Sequence, residues 1–217
     1  MGRPRGEYTR AERVSDAVVH GAGLLVALMA APVLVTLAAL RVRDAALVAA
    51  ATVYGATLVG MLAASAAYHL TPAPAWRDRL RRLDQSAIYL KIAGAYTPFA
   101  AMAGPEAMPF LAGLWTAALA GVGMKLLTAR ALFGLTLGLY LAMGWAALAF
   151  GGPIFARMTL GGFHLVLAGG ALYTVGVAFL MWESLPFHVT IWHVFVLAAS
   201  ITIYAAMVIE LGGVAAA

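Results

Sequence analysis

Cysteine is absent from this chain of 217 residues, and charge is scarce: Asp, Glu, Lys and Arg together make up 11% of it. Without cysteine there is no disulfide framework and no thiolate metal site, so any metal ligand must be His, Asp or Glu. With so little charge a large soluble domain is excluded, because such domains carry roughly a quarter charged residues. No ten-residue stretch alternates polar with apolar residues, which argues against a transmembrane β-barrel. No internal repeat, linker or break in composition marks a second domain. What is present is apolar: 64% of the residues are hydrophobic and the mean hydropathy is +0.92. An all-α integral membrane protein follows, since a helix satisfies its backbone hydrogen bonds within itself and needs no water to do so.

A span needs roughly 20 mostly apolar residues. Seven such runs are read, at about 17–40, 45–69, 84–103, 107–127, 130–149, 159–181 and 188–210. They predict one seven-helix transmembrane domain over 17–211, preceded by a basic segment over 1–16. "ALMAAP" in the first run resembles a signal-peptidase site, but the apolar stretch continues to Leu40, longer than a signal sequence needs. Ten basic residues fall on one side: Arg3, Arg5, Arg10, Arg13, Arg77, Arg79, Arg81, Arg82, Lys125 and Arg130. Only Arg41, Arg43 and Arg157 fall on the other. The positive-inside rule then predicts a cytoplasmic N-terminus and an outer C-terminus. The net charge of +5 sits in these connections, which suits anionic lipid headgroups rather than nucleic acid.

With that direction, scattered polar residues reach one depth. Ser65 and His69 close span two on one helix face, Asp84 opens span three, and His188 and His193 open span seven. Asp16 and His20 open span one, while His164 stands alone at the outer end of span six. Convergence of distant side chains on one layer is how metal sites are assembled inside helical bundles. The chemistry suits Zn2+, with histidine ligands, Asp84 moving a proton and Ser65 in a supporting hydrogen bond. Taken singly, each residue has a structural reading as well. Asp16 and His20 are spaced to pair with one another, and Asp84 suits a helix N-terminus. Lys91, two turns deeper on the Asp84 face, is read as snorkelling or as paired with a carboxylate.

The segments "SAAYHL", "LDQSAIYLKIAGAYTPF", "GGALYTVGVAFLMWESLPF" and "IWHVFVLAAS", with "HGAGLL" and "LYLAMGWAAL", resemble the haemolysin III family. Those are bacterial relatives of the progestin and adipoQ receptors, within a wider group that includes membrane ceramidases. The resemblance runs in order from the first span to the last. It implies seven transmembrane helices in the bacterial inner membrane, an inside N-terminus, and a zinc site near the cytoplasmic face. It implies metal ligation by the histidine closing span two, here His69, and by a histidine pair four apart opening span seven. The aspartate near the metal corresponds to Asp84, and the serine of the span-two motif to Ser65.

The chain departs from that pattern where the first histidine of the pair should stand, at Val189, with His188 one place earlier. Side chains four apart on a helix lie about 40° apart and those five apart about 140°, so His188 and His193 do not share a face of a regular helix. Pro186 precedes them. A helix starting only after about residue 190 would free His188 to swing inward. The expected metal ligands are therefore His69, His193 and His188, with His20 as the alternative third. A metal lost with the fold retained stays open as well. Gln85 follows the aspartate where the family commonly has histidine. The leading expectation is a zinc-dependent hydrolase of lipid amides or esters, with Asp84 as general base and Ser65 beside it. A receptor-like membrane sensor with a structural metal, and a pore-forming haemolysin, are the alternatives. Membrane lipids are the expected partners in each case.

Overall fold

A computed structural model describes residues 9–127 and 133–214. Eight helices follow in order: α1 (Arg10–Leu37), α2 (Ala45–Leu70), α3 (Pro74–Ala103), α4 (Met108–Leu127), α5 (Phe133–Phe150), the short α6 (Gly152–Arg157), α7 (Leu160–Met181) and α8 (His188–Val214). A π-helical turn, Ala38–Val42, extends α1, and a 3-10 turn, Pro105–Ala107, leads into α4. No strand occurs among the described residues.

Six of these helices are long and apolar enough to cross a membrane: α1 with its π turn, α2, α4 with its 3-10 turn, α5, α7 and α8. The exception is α3, expected to span over 84–103. It is the longest helix at 30 residues. Its first three turns hold Arg77, Asp78, Arg79, Arg81, Arg82 and Asp84, and its apolar part is diluted by Tyr89, Lys91, Tyr96, Thr97 and Pro98. Large apolar side chains such as Leu28, Leu119, Leu127, Phe150 and Leu160 are exposed around the outside of the bundle. Lipid, not water, is the medium such a surface requires. The chain is an all-α, multi-spanning integral membrane protein.

Helices α1 and α2, α2 and α3, α3 and α4, and α7 and α8 pack side by side, and α1 closes against α8. Small residues make the close approaches. A Cβ placed at Gly169 would stand 2.7 Å from Ile203 Cδ1, and one at Gly176 2.8 Å from Phe195 Cβ. In lipid, packing of this kind replaces the hydrophobic drive between helices. The main core joins Leu34, Tyr54, Leu58, Met61, Ala206 and Met207, and a smaller core joins Tyr89, Ala93, Leu114 and Met143. Helix α4 packs on α3, and α5 meets α7 over a small area.

The ends that matter for the site gather at one end of the bundle. Phe187 N–H donates to Glu12 Oε1 at 3.1 Å, joining the start of α1 to the start of α8. Arg82 donates to the Leu126 carbonyl at 2.8 Å, joining the start of α3 to the end of α4. The basic residues Arg10, Arg13, Arg77, Arg79, Arg81, Arg82 and Lys125 belong to these ends. Arg3, Arg5 and Arg130, which enter the charge balance, lie outside the described residues, as do 130–132 of the expected fifth span.

Candidate metal centre

Thr9 caps α1 in a reciprocal box: Glu12 N–H donates to Thr9 Oγ1 at 3.2 Å and Thr9 N–H to Glu12 Oε2 at 2.8 Å. Starting the helix there places Asp16 and His20, four residues apart, on the face turned toward α2 and α8. His20 is buried, 3% exposed. From α2 come Ser65, also buried, and His69 one turn later. Helix α8 brings His193.

The three imidazoles form a compact cluster. Ring centroids are 5.1 Å apart for His20 and His69, 4.3 Å for His20 and His193, and 4.6 Å for His69 and His193. One potential ligand atom from each lies within 4.8 Å of the others. Asp16 sits behind all three. His193 Nδ1 donates to its Oδ1 at 2.7 Å, and His69 Nδ1 faces its Oδ2 at 3.3 Å. His20 Nδ1 donates to the Asp16 backbone carbonyl at 2.8 Å. A carboxylate or carbonyl accepts and cannot donate, so each Nδ1 carries a proton, and in the neutral imidazole the lone pair that a metal would take is left on Nε2.

That donor set fits a metal. Three neutral imidazoles backed by a carboxylate are a recurrent arrangement for zinc, and around a tetrahedral zinc the ligand atoms stand about 3.3 Å apart. His20 Nε2 lies 3.1 Å from Ser65 Oγ, so the serine hydroxyl occupies the lone pair that a metal would take. Asp84 lies within reach of both Ser65 and His69, and offers the one Ser65 hydroxyl proton an alternative acceptor.

The structure thus brings His69, His193, Ser65 and Asp84 together, and brings His20 rather than His188 as the third imidazole. His188 is the first residue of α8 and its ring Nδ1 donates to the Leu185 carbonyl at 3.2 Å. The helix is regular from His188 onward, because Phe187, at φ 61°, accepts the first helical bond from Ile191 N–H at 2.8 Å. With no irregular turn to swing it inward, His188 keeps the orientation that a five-residue spacing dictates. His164 is exposed near the start of α7, away from the cluster. Asp16 is the residue whose part was not foreseen. Its four-residue spacing from His20 was the available signal, but its side chain serves His193 and His69.

A cavity of about 320 Å³ opens beside the cluster, with His20, Ser65, His69, Asp84 and His193 in its wall. Its lining comes from α1, α2, α3, α5, α7 and α8. Along α3 it runs from Asp84 to Phe99, fifteen residues or about 22 Å at the helical rise. Beyond the cluster the wall is mostly aliphatic and aromatic. The α5–α7 seam is bridged by Trp145 Nε1 donating to Thr174 Oγ1 at 3.0 Å.

A buried three-histidine centre at the end of a membrane bundle, opening on an apolar cavity, defines a class: integral membrane proteins able to hold a metal among their helices. The family described as Haemolysin-III related matches residues 8–204, and this chain belongs to it. Hemolysin-3 of Bacillus cereus is 38% identical over 191 residues, covering 87% of each chain. The Hemolysin-3 homolog of Bacillus subtilis (strain 168) is 33% identical over 199 residues, covering 91% of this chain and 93% of its own. These relatives are bacterial, and the inner membrane is the location they support.

Proposed function

We propose that this protein is a zinc-dependent hydrolase of membrane lipids, cleaving an amide or ester bond next to the headgroup. The observation that carries this reading is the junction of two features: three clustered histidines, and a long apolar cavity that starts at them. Bound there, Zn2+ would supply an electrophile for a carbonyl oxygen and lower the pKa of water. The protein's own groups do the rest. The cavity wall holds an acyl chain and excludes water, which aligns the bond with the histidines. Asp84, in the wall beside His69, takes the proton of the attacking water at a carboxylate oxygen and returns it to the leaving group. With His20 engaged by a metal, the Ser65 hydroxyl would be free to donate to Asp84 and hold the carboxylate. Asp16 holds the imidazoles from behind.

The same reading takes α3 as the seventh span and the gathered basic ends as cytoplasmic, following the positive-inside rule. Residues 86–103 of α3 make about 27 Å of helix, close to the thickness of a hydrocarbon core. A substrate then enters from the cytoplasmic leaflet, and the small α5–α7 contact is the wall through which a chain passes.

The closeness of the Asp16 carboxylate to His69 and His193 favours a second reading. If Asp16 rotated forward as a fourth protein ligand, the site would be closed and structural, as in a sensor whose helices a metal ties together. The relatives' name speaks of lysis, but the largely apolar lining of this cavity gives a water-filled pore little support. Release of fatty acid from a ceramide and from a lysophospholipid by purified, zinc-loaded protein tests the proposal. Hydrolysis of either that is abolished by Asp84→Asn supports it; no hydrolysis of any acyl lipid with zinc bound would leave the sensor.

A further inference from the structure

We propose that Lys91, Tyr173 and Ser200 form a binding site for the carboxylate of a long-chain fatty acid, partway along the apolar cavity. Lys91 stands seven residues beyond Asp84 on α3, two turns or about 10 Å further along the helix, and is 3% exposed. It was expected to snorkel or to meet a carboxylate, and it does neither. Its Nζ donates to the Tyr173 hydroxyl and lies 4.2 Å from the centre of the Tyr173 ring. Tyr173 Oη is in turn 2.7 Å from Ser200 Oγ. Tyr173 is eight residues from the nearer end of α7, about 12 Å, so the ammonium group is held away from both interfaces.

The partners of this cation are neutral. Among the described residues no ion pair reaches Lys91. An ammonium has three donors, and Tyr173 takes one. Buried cations are paired or cause a large desolvation cost, and in the membrane interior they mark ligand paths. Both Lys91 and Tyr173 line the cavity, so the missing negative charge has a place from which to approach. The single positive charge matches a monoanion. A carboxylate also ends its chain, needing apolar space on one side only, and Ile92, Ala95, Tyr96, Phe99, Val166 and Ile203 provide it. The cavity volume falls in the range that encloses such ligands. This site needs neither metal nor hydrolysis.

Binding of labelled palmitate to the purified protein, after metal is stripped with EDTA, tests it, with 1-hexadecanol and lysophosphatidate as competitors. Stripping removes the other group that could take a carboxylate. The parent is expected to prefer palmitate to hexadecanol by about tenfold or more, the scale of one charge-assisted hydrogen bond. Lys91→Met should abolish that preference while still binding hexadecanol, which shows an intact cavity, and Lys91→Arg should keep it. Tyr173→Phe should weaken palmitate alone. Equal binding of acid and alcohol by the parent, no binding of either, or a preference that survives Lys91→Met would each overturn the proposal. Tighter binding of lysophosphatidate than of palmitate would overturn the carboxylate assignment in favour of a phosphate headgroup.

Discussion

The Asp16 carboxylate accepts a hydrogen bond from His193 Nδ1 at 2.7 Å although 177 positions separate the two residues. Through this contact the first helix sets the tautomer and the angle of an imidazole on the last. The same carboxylate faces His69, so one acidic group meets imidazoles from two other helices while its backbone carbonyl holds His20. Removing it should loosen the metal without removing a ligand. Asp16→Asn is expected to lower zinc affinity by about 10- to 100-fold, the usual effect of losing such a supporting group. Competition with a calibrated chelator measures this, and unchanged affinity would show that Asp16 has no such part.

The three clustered histidines should behave alike. His20→Ala, His69→Ala and His193→Ala are each expected to lose most bound zinc, whereas His164→Ala keeps it. Elemental analysis after dialysis reads the outcome, and equal loss in all four variants would contradict the geometry.

Asp84 and Ser65 line the cavity beside the imidazoles without belonging to the three-histidine group. Asp84→Asn should therefore retain zinc while lowering hydrolysis by about 10²- to 10⁴-fold, the range of general acid–base catalysis. Ser65→Ala should retain zinc and lower the rate by a smaller factor. Loss of zinc along with activity in Asp84→Asn would recast the aspartate as a ligand.

Glu12 connects the cap of α1 to the turn before α8 by accepting from Thr9 and from Phe187 N–H. Glu12→Ala leaves a partly buried N–H unsatisfied and should cost about 1.5–3 kcal/mol, the scale for a hydrogen bond to a charged group. A lower Tm in detergent, together with weaker zinc binding because His193 follows that turn, is the expected pair of results. An unchanged Tm would show that the two helix starts are held by other contacts.

Much of this arrangement is legible in the sequence, and for physical reasons. Lipid forces backbone bonds inward and side-chain apolarity outward, so six helices announce themselves as long hydrophobic runs. The depth of each polar residue follows from its distance to a helix end, which is why His69, His193, Asp84 and Ser65 could be assigned to one layer. Three things were not legible. The start of α8 depends on the Glu12–Phe187 hydrogen bond across 175 positions, and no local signal says that the helix is already regular at His188. The partner of Asp16 depends on how α1 closes against α8. The neutral surroundings of Lys91 depend on α7 and α8 meeting α3 through Tyr173 and Ser200, three residues with no shared spacing.

The central claim is that His20, and not His188, completes a three-histidine metal site. Zinc per chain in detergent-purified protein, measured for the parent, His20→Ala and His188→Ala side by side, tests it most directly. About one zinc per chain is expected in the parent and in His188→Ala, and close to none in His20→Ala. Zinc lost from His188→Ala but kept in His20→Ala, or none in the parent even after loading, would contradict it.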